Sequence, residues 1–208
     1  MNKINDLRSA LAMLETLPGQ LAQTDVEVDP MGEVSGVYRH VGAGGTVQRP
    51  TREGPAVIFN NVKGHPGARV VIGLLASRTR VGHLLGCAPD RLGFLLKDSV
   101  ANPLPPVTIP NEQAKCQEVV HLATDPDFDV RKLVPAPTNT LEDAGPYITL
   151  GMCYASNPET GESDVTIHRM CLQSKDEISI FLQPGARHIG YFRELAEAAG
   201  KPLPISIS

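Results

Sequence analysis

The stretch DVTIHRMCLQ, residues 164–173, has the pattern of a β-strand but carries an unusual set of side chains. Polar and apolar residues alternate from Asp164 to His168, which predicts a strand with one polar face and one apolar face. Arg169 then falls on the apolar face, which it shares with Val165 and Ile167. A bulge or kink near Ile167 is therefore expected if His168 and Arg169 are to face one pocket, and bulges are common beside active sites.

Strand-like segments surround this one in the second half of the chain. They are EVVHL (118–122), PYITLGMCYA (146–155) and ISIFLQ (178–183), and polar, glycine- and proline-containing loops separate them. A helix with a regular apolar face follows over 189–199 and stops at Gly200. These features predict an antiparallel barrel or sandwich that carries one helix. Ile205 and Ile207 begin a further alternating strand, so we expect the domain to continue beyond Ser208.

The first half alternates between helices and strands. Helices are predicted over 4–14, 32–42, 76–86 and 89–102, and strands over 20–30, 55–61 and 68–75. This order is typical of an α/β domain with a mixed sheet. The proline-rich segment 102–113 is the predicted linker. The fold class is therefore α+β, with an N-terminal α/β domain over 1–112 and a second domain over 113–208.

Composition excludes several classes of protein. The chain has 208 residues, with 19 Lys plus Arg against 23 Asp plus Glu and no long basic block, so no nucleic-acid partner is expected. Its four cysteines form no CxxC pair, which argues against a zinc site or a disulfide framework and fits a reducing cytosol. No signal peptide or membrane-spanning stretch is recognisable. We expect a cytoplasmic protein without a membrane partner.

Two other motifs favour ordinary loops. VGAGG (41–45) is glycine-rich, but the residues up to Pro50 do not open a helix well, so a flexible loop is expected rather than a phosphate loop. DPDFD (125–129) lacks the central Gly and distal Glu of a calcium loop, and a solvated turn is expected. The histidines at 40, 65, 83 and 121 are isolated, and no role is assigned to them.

The strand 164–173 and the segment FLQPGARHIG (181–190) together predict a site. If the two strands pair antiparallel, the start of the final helix returns to the start of strand 164–173. Asp164 and His188 could then share a divalent metal ion, because carboxylate oxygen and imidazole nitrogen suit Mn²⁺. Thr166, Arg169 and Arg187, together with helix N–H groups, would suit a phosphate. A site that binds a metal ion and a phosphate is therefore one hypothesis. A ladder of polar residues on an edge strand is an equally acceptable interpretation.

The sequence resembles the UbiD-type decarboxylases, which use prenylated FMN, and within them the branch of protocatechuate and gallate decarboxylases. The resemblance covers nearly the whole chain. The segments that carry it are GVYRHVGAGGTVQRPTREGPAVIFNN (36–61), DPDFDVRKLVPAPTNT (125–140), DAGPYITLG (143–151), SDVTIHRMCLQ (163–173) and EAAGKPLPI (197–205). Their common order is more specific than any single motif.

The resemblance implies a role for each site residue. The family's N-x-[ST]-I-x-R strand binds the cofactor phosphate through a divalent metal, commonly Mn²⁺, with K⁺ nearby, and here it has the sequence D-V-T-I-H-R. Asp164 and His188 match the metal-ligand positions, and Arg169 matches the arginine beside the reacting centre. The cofactor-binding positions are Thr166, Ile167, His168, Arg169 and Arg187. Asp164 replaces the Asn of more distant relatives, and Arg187 stands where relatives often have Gln.

The implied activity is reversible, non-oxidative decarboxylation of protocatechuate, gallate or 4-hydroxybenzoate. The fold would be an α/β domain followed by the first part of a split β-barrel like those of flavin reductases. A flavin prenyltransferase would supply the cofactor, and the full-length protein would be a homo-oligomer. Both a covalent adduct with the cofactor and electron flow through the ring hydroxyls stay open as routes.

The family's third metal ligand and its catalytic glutamates would lie beyond Ser208. We therefore expect the 208-residue chain alone to be an inactive fragment. The alternative function is a non-catalytic split-barrel module that binds flavin and metal without turnover.

Overall fold

The structure is a computed structural model that describes residues 4–41, 53–185 and 187–208, and in these residues two β-sheets form with helices packed against them. The helices are α1 Leu7–Glu15, α2 Glu33–Val41, α3 Arg78–Leu85, α4 Leu92–Ala101, α5 Val130–Leu133 and α6 Ile189–Ala198. The strands are β1 Leu21–Thr24, β2 Ala56–Phe59, β3 Val70–Ile72, β4 Tyr147–Ser156, β5 Ser163–Leu172, β6 Ile178–Ile180 and β7 Ser206–Ile207. Three short 3₁₀ turns lie at Pro89–Arg91, Asn111–Gln113 and Lys115–Gln117. None of the described helices combines the length and apolar character needed to cross a membrane.

The first sheet has the order β1-β2-β3, and it confirms the mixed sheet expected before residue 102. β1 and β2 are parallel, whereas β2 and β3 are antiparallel. Every residue of β2 is buried, because its sequence AVIF is apolar on both faces. Helix α1 begins at Leu7 and not at residue 4 as predicted, because Asp6 is its N-cap: the Asp6 carboxylate accepts a hydrogen bond from the Ser9 N–H at 2.7 Å and forms a capping box with that residue.

Arg80 joins α3 to one end of the first sheet. Its side chain is only 1% exposed. The guanidinium donates to the carbonyl oxygens of Gln20 at 3.2 Å and Gly73 at 2.8 Å, and also to that of Gly54. Burial lowers the pKa of Arg80 from its ordinary value. The buried charge of Arg80 is therefore stabilised by backbone carbonyl groups from three segments.

The second sheet has the order β6-β5-β4-β7 with every neighbouring pair antiparallel, so the antiparallel second half is confirmed. Helix α6 packs Ile189 and Phe192 against Cys153, Ala155 and Met170 of the sheet. The apolar face expected for this helix is thus the one that forms the second core, and it sets the helix start beside β5.

Two expectations about strands are wrong. EVVHL (118–122) forms no strand: Val119 and Val120 are 72% and 66% exposed, and the Leu122 N–H donates to the Asp125 carboxylate at 2.8 Å in a turn. Alternating apolar residues alone do not form a strand without a partner strand. The bulge is also misplaced, because the register shifts in β4 between Ile148 and Gly151 and not in β5 near Ile167.

The two loop motifs have different outcomes. The glycine-rich loop expected over 42–50 lies outside the described residues. The segment 125–129 forms a turn, and its last residue, Asp129, caps α5 by accepting from the Arg131 N–H at 3.0 Å. The same carboxylate pairs with the Arg131 guanidinium at 2.9 Å. That hydrogen-bonded pair lowers the pKa of Asp129, and a solvated turn is the better description.

The two halves of the chain contact each other through the segment around Thr138. The N–H of Gly32 donates to the Thr138 carbonyl at 2.8 Å, and the Thr138 N–H donates to the Pro30 carbonyl at 3.0 Å. Ser35 donates to the Asn139 amide oxygen at 2.6 Å. Residues 103–110 are exposed and have no regular structure. A domain boundary between 112 and 113 stays a prediction.

Candidate functional site

Three polar side chains form a ladder on the core-facing side of β5. Asp164, Thr166 and His168 are half-buried, and the same side of the strand continues into the buried residue Met170. Their cross-strand partners on β4 are the small residues Ala155, Cys153 and Gly151. Thr166 Oγ1 and His168 Nε2 are 2.8 Å apart and share a hydrogen bond. Cys153 and Ala155 are buried in the core with α6, and the Met170 side chain fills the space at Gly151, so the ladder residues stay half-buried.

The turn after β6 returns the chain to this ladder, as the antiparallel pairing of β5 and β6 requires. His188, at the N-cap of α6, hydrogen-bonds through Nδ1 to Asp164 Oδ2. The two side chains are 59% and 32% exposed, so solvent reaches both. His188 has φ 63° and ψ −139°, and it is the only residue other than glycine with positive φ in the described part of the chain. The structure brings the two proposed metal ligands together; metal binding by them stays a prediction.

A cavity of about 340 Å³ opens beside this pair. Its lining residues are Thr166, His168, Phe181, Leu182, Gln183, Arg187, His188, Ile189 and Gly190. The volume is near the lower end for small-molecule sites. Sequence reasoning did not assign Phe181, Leu182 or Gln183 a role, although the position of Gln183 before the turn Pro184-Gly185 was a usable signal.

Arg169 and Ile167 lie on the other face of β5. Ile167 pairs with Met152 and His168 with Gly151 in regular register, so no irregularity turns Arg169 toward the ladder. The expectation of one pocket that holds both His168 and Arg169 is therefore wrong. The bulge in β4 lies opposite Arg169 instead, and a bulge there changes the direction of the partner strand.

The face that carries Arg169 is apolar and open. Val165 and Ile167 are exposed, as are their cross-strand partners Tyr154 and Met152. Contiguous exposed apolar residues of this kind mark surfaces that contact a ligand or another protein segment. Burial raises the pKa of Tyr147 at the end of this face, and the positive charge of Arg169 acts in the opposite direction. β5 thus presents a polar site on one side and a cationic, apolar site on the other.

The donor atoms of Asp164 and His188 suit a divalent metal ion. Asp164 supplies carboxylate oxygen and His188 supplies imidazole nitrogen, which is a mixture that Mn²⁺ accepts. Among the described residues no group of three or more His, Cys, Asp or Glu side chains could hold a metal ion. Further ligands would have to come from a cofactor phosphate, from water or from other parts of the protein.

Comparison with known proteins places this chain in a family. Residues 14–99 match the 3-octaprenyl-4-hydroxybenzoate carboxy-lyase N-terminal domain, and residues 107–208 match the Rift-related domain of the same enzymes. The gallate decarboxylase of Lactiplantibacillus plantarum is 54% identical over 203 residues, which are 98% of this chain and 41% of that protein. The chain belongs to the UbiD family. It spans about two fifths of the length of the curated UbiD relatives that it matches.

Solved UbiD structures have the same fold. The apo 3,4-dihydroxybenzoic acid decarboxylase from Enterobacter cloacae is 58% identical with a TM-score of 0.93, and the match covers 99% of this chain and 42% of that one. The UbiD-class enzyme HmfF from Pelotomaculum thermopropionicum, solved in complex with prFMN, is 29% identical with a TM-score of 0.86, covering 99% of this chain and 44% of that one. The mixed α/β architecture is therefore shared across the family.

Proposed function

We propose that this chain is the cofactor-binding part of a UbiD-family carboxy-lyase that decarboxylates a hydroxylated aromatic acid with prenylated FMN. The observation that carries the proposal is the Asp164–His188 pair beside the cavity on one face of β5, with Arg169 on the opposite face. The similarity to a gallate decarboxylase and to a 3,4-dihydroxybenzoic acid decarboxylase supports the substrate class. A UbiD-class structure with prFMN supports the cofactor.

We assign different binding roles to the two faces of β5. On the ladder face, Asp164 and His188 would hold the divalent metal ion, for which we propose Mn²⁺, and three polar residues that line the cavity would bind the cofactor phosphate. Those residues are Thr166, His168 and Arg187. On the open face, Ile167 and Arg169 would bind the cofactor, and Arg169 would also bind the substrate. K⁺ is proposed as a second ion, with no described residue assigned to it.

Arg169 has the chemistry needed at the substrate end. When bound, the prenylated flavin supplies an electron sink for the electron pair left by departing CO₂. The guanidinium of Arg169 can donate two parallel hydrogen bonds to the substrate carboxylate and fix its orientation. Val165 and Ile167 lie exposed on the same face, so a ligand bound there would cover them and exclude water from the guanidinium, which would strengthen that interaction.

We also propose that the second sheet is the first part of a split β-barrel. The open apolar face of β4 and β5 supports this, because such a face is normally covered. A cytoplasmic location is proposed on the four free cysteines of the described residues. A homo-oligomer and a flavin prenyltransferase that delivers the cofactor complete the proposal, as expected for this family.

The metal assignment is tested with Asp164→Ala and His188→Ala in the protein expressed from its complete gene. Either variant removes one donor of the pair, so the bound Mn²⁺ content should fall at least tenfold and the flavin absorbance should follow, since losing even a partner of a metal ligand typically costs about 10- to 100-fold in affinity. Glu162→Ala is the matched control, because it removes an exposed carboxylate from the same hairpin outside the cavity. Stoichiometric Mn²⁺ in both site variants contradicts the assignment.

The reaction is tested by CO₂ release from protocatechuate, gallate and 4-hydroxybenzoate. Arg169→Ala should lower turnover per bound flavin about 100-fold or more, since it removes a group that stabilises developing charge. Bound flavin without CO₂ release from any of the three acids in the unmodified protein would instead favour the non-catalytic module.

A further inference from the structure

Glu194 lies outside the cavity lining but contacts the turn that leads to His188. Its Oε1 accepts a hydrogen bond from the N–H of Gly185 at 2.8 Å. Side chains on a helix tilt toward its N-terminus, so a residue in the second turn of α6 can reach back past the helix start. The contact connects the body of the helix to the turn that precedes it.

That turn needs support from outside itself. His188 has φ 63° and ψ −139°, a conformation that residues with a Cβ rarely adopt and that surrounding contacts must hold. The His188 side chain makes no capping hydrogen bond to α6. Two side-chain contacts reach the described residues of the turn, that of Asp164 with His188 and that of Glu194 with Gly185.

The charges on α6 leave Glu194 available for this contact. Arg193 binds Glu197 at 3.0 Å, whereas its distance to the Glu194 carboxylate is 3.9 Å. Hydrogen bonds that an ionised carboxylate accepts from backbone N–H groups are shorter and stronger than those between neutral groups. Glu197 is a carboxylate on the same helix that pairs with Arg193 and makes no contact with the described residues of the turn, so it is a suitable control.

We propose that Glu194 is a positioning residue for the Asp164–His188 pair, because its carboxylate holds the Gly185 end of the turn and keeps the His188 imidazole directed at Asp164. The effect of Glu194 on metal affinity rests on the proposed function, whereas its effect on the turn does not. Groups that orient metal ligands typically contribute 10- to 100-fold to metal affinity.

The experiment compares Glu194→Ala, Glu194→Asp, Glu194→Gln and Glu197→Ala in the protein expressed from its complete gene. Amide hydrogen exchange of the peptide spanning 181–190 is measured without metal, and the Mn²⁺ dissociation constant is measured by electron paramagnetic resonance titration. Glu194→Ala and the one-methylene-shorter Glu194→Asp should each speed exchange and weaken Mn²⁺ binding about tenfold. Glu194→Gln keeps an oxygen acceptor at the same reach and should stay within about threefold of the unmodified protein. Glu197→Ala should change neither quantity.

Two results would overturn the inference. One is unchanged exchange at 181–190 in both Glu194→Ala and Glu194→Asp, and the other is equal weakening by Glu194→Ala and Glu197→Ala. An unmodified protein that binds no Mn²⁺ would contradict the metal assignment alone, because the exchange measurement still decides the role of Glu194. Glu194→Asp keeps the charge, so a difference from Glu194→Gln separates position from electrostatics.

Discussion

Adjacent residues of β5 serve different sides of the molecule. His168 points into the cavity with Thr166, and Arg169 is on the face shared with Ile167. Alternation along a strand makes this division unavoidable unless a bulge intervenes. Under the proposed function, β5 binds the polar end of the cofactor on one side and the substrate on the other, with no insertion in the motif.

Arg80 is the residue for which we expect the largest loss of stability. Arg80→Met keeps an apolar stem but leaves the carbonyls of Gln20, Gly54 and Gly73 without their donor. Each buried unsatisfied acceptor costs about 1–3 kcal/mol, so the free energy of unfolding should fall by about 3 kcal/mol or more. Urea denaturation measures it. Arg78→Met, an exposed change on the same helix, should cost about 0.5 kcal/mol or less, and a similar loss in both variants would contradict the role given to Arg80.

Strand β4 owes its geometry to its bulge and to Gly151. The register shift between Ile148 and Gly151 occurs where a glycine faces Met170 of β5. A Cβ at Gly151 would overlap the Met170 methyl group, and Met170 is itself buried. Close approach of the two strands at this point thus depends on the missing side chain.

Gly151→Ala should therefore lower the free energy of unfolding by about 1–3 kcal/mol, the usual cost of overpacking a core. Gly36→Ala is the opposite case, because Gly36 sits inside α2 and a Cβ added there would meet no atom within 4 Å. That change should stabilise by about 0.5–1 kcal/mol. Chemical denaturation of both variants checks the pair, and equal effects would show that β4 tolerates a side chain at 151.

The cap of α5 should make stability depend on acid. The hydrogen bond from Arg131 holds the pKa of Asp129 below its ordinary value of 3.8. A carboxylate with a lowered folded pKa contributes stability that is complete above its unfolded pKa and is lost as the pH falls through the folded pKa. Asp129→Asn should therefore show a smaller fall in melting temperature between about pH 5 and pH 2 than the unmodified chain. Identical pH profiles would contradict this contribution.

At the scale of the whole molecule, the two sheets are connected by an exposed segment and also by direct contacts. Residues 103–110 carry exposed apolar side chains and no regular structure. The backbone hydrogen bonds of Thr138 with Gly32 and Pro30 join the halves elsewhere. The halves should thus behave as one unit even when the connecting segment is cut.

Limited proteolysis tests this. We expect the first cleavage of the 208-residue chain within 103–123, because exposed backbone without regular structure is cut first. The two products should separate on a denaturing gel and elute together on a native sizing column. Elution as two separate species would show that the contacts around Thr138 do not hold the halves together.

Local sequence patterns predict most of the elements and the contact between Asp164 and His188. The alternation in 164–173, the helix over 189–199 and the antiparallel pairing of the last strands are local patterns, and together they bring Asp164 and His188 into contact. The partner strands and the tertiary packing decide that EVVHL forms no strand, that the bulge belongs to β4, that Gln183 lines the cavity and that Glu194 accepts a hydrogen bond from Gly185. The physical reason is that periodicity reports one strand's own faces, whereas register, bulges and cavity walls depend on the partner that the chain meets after folding.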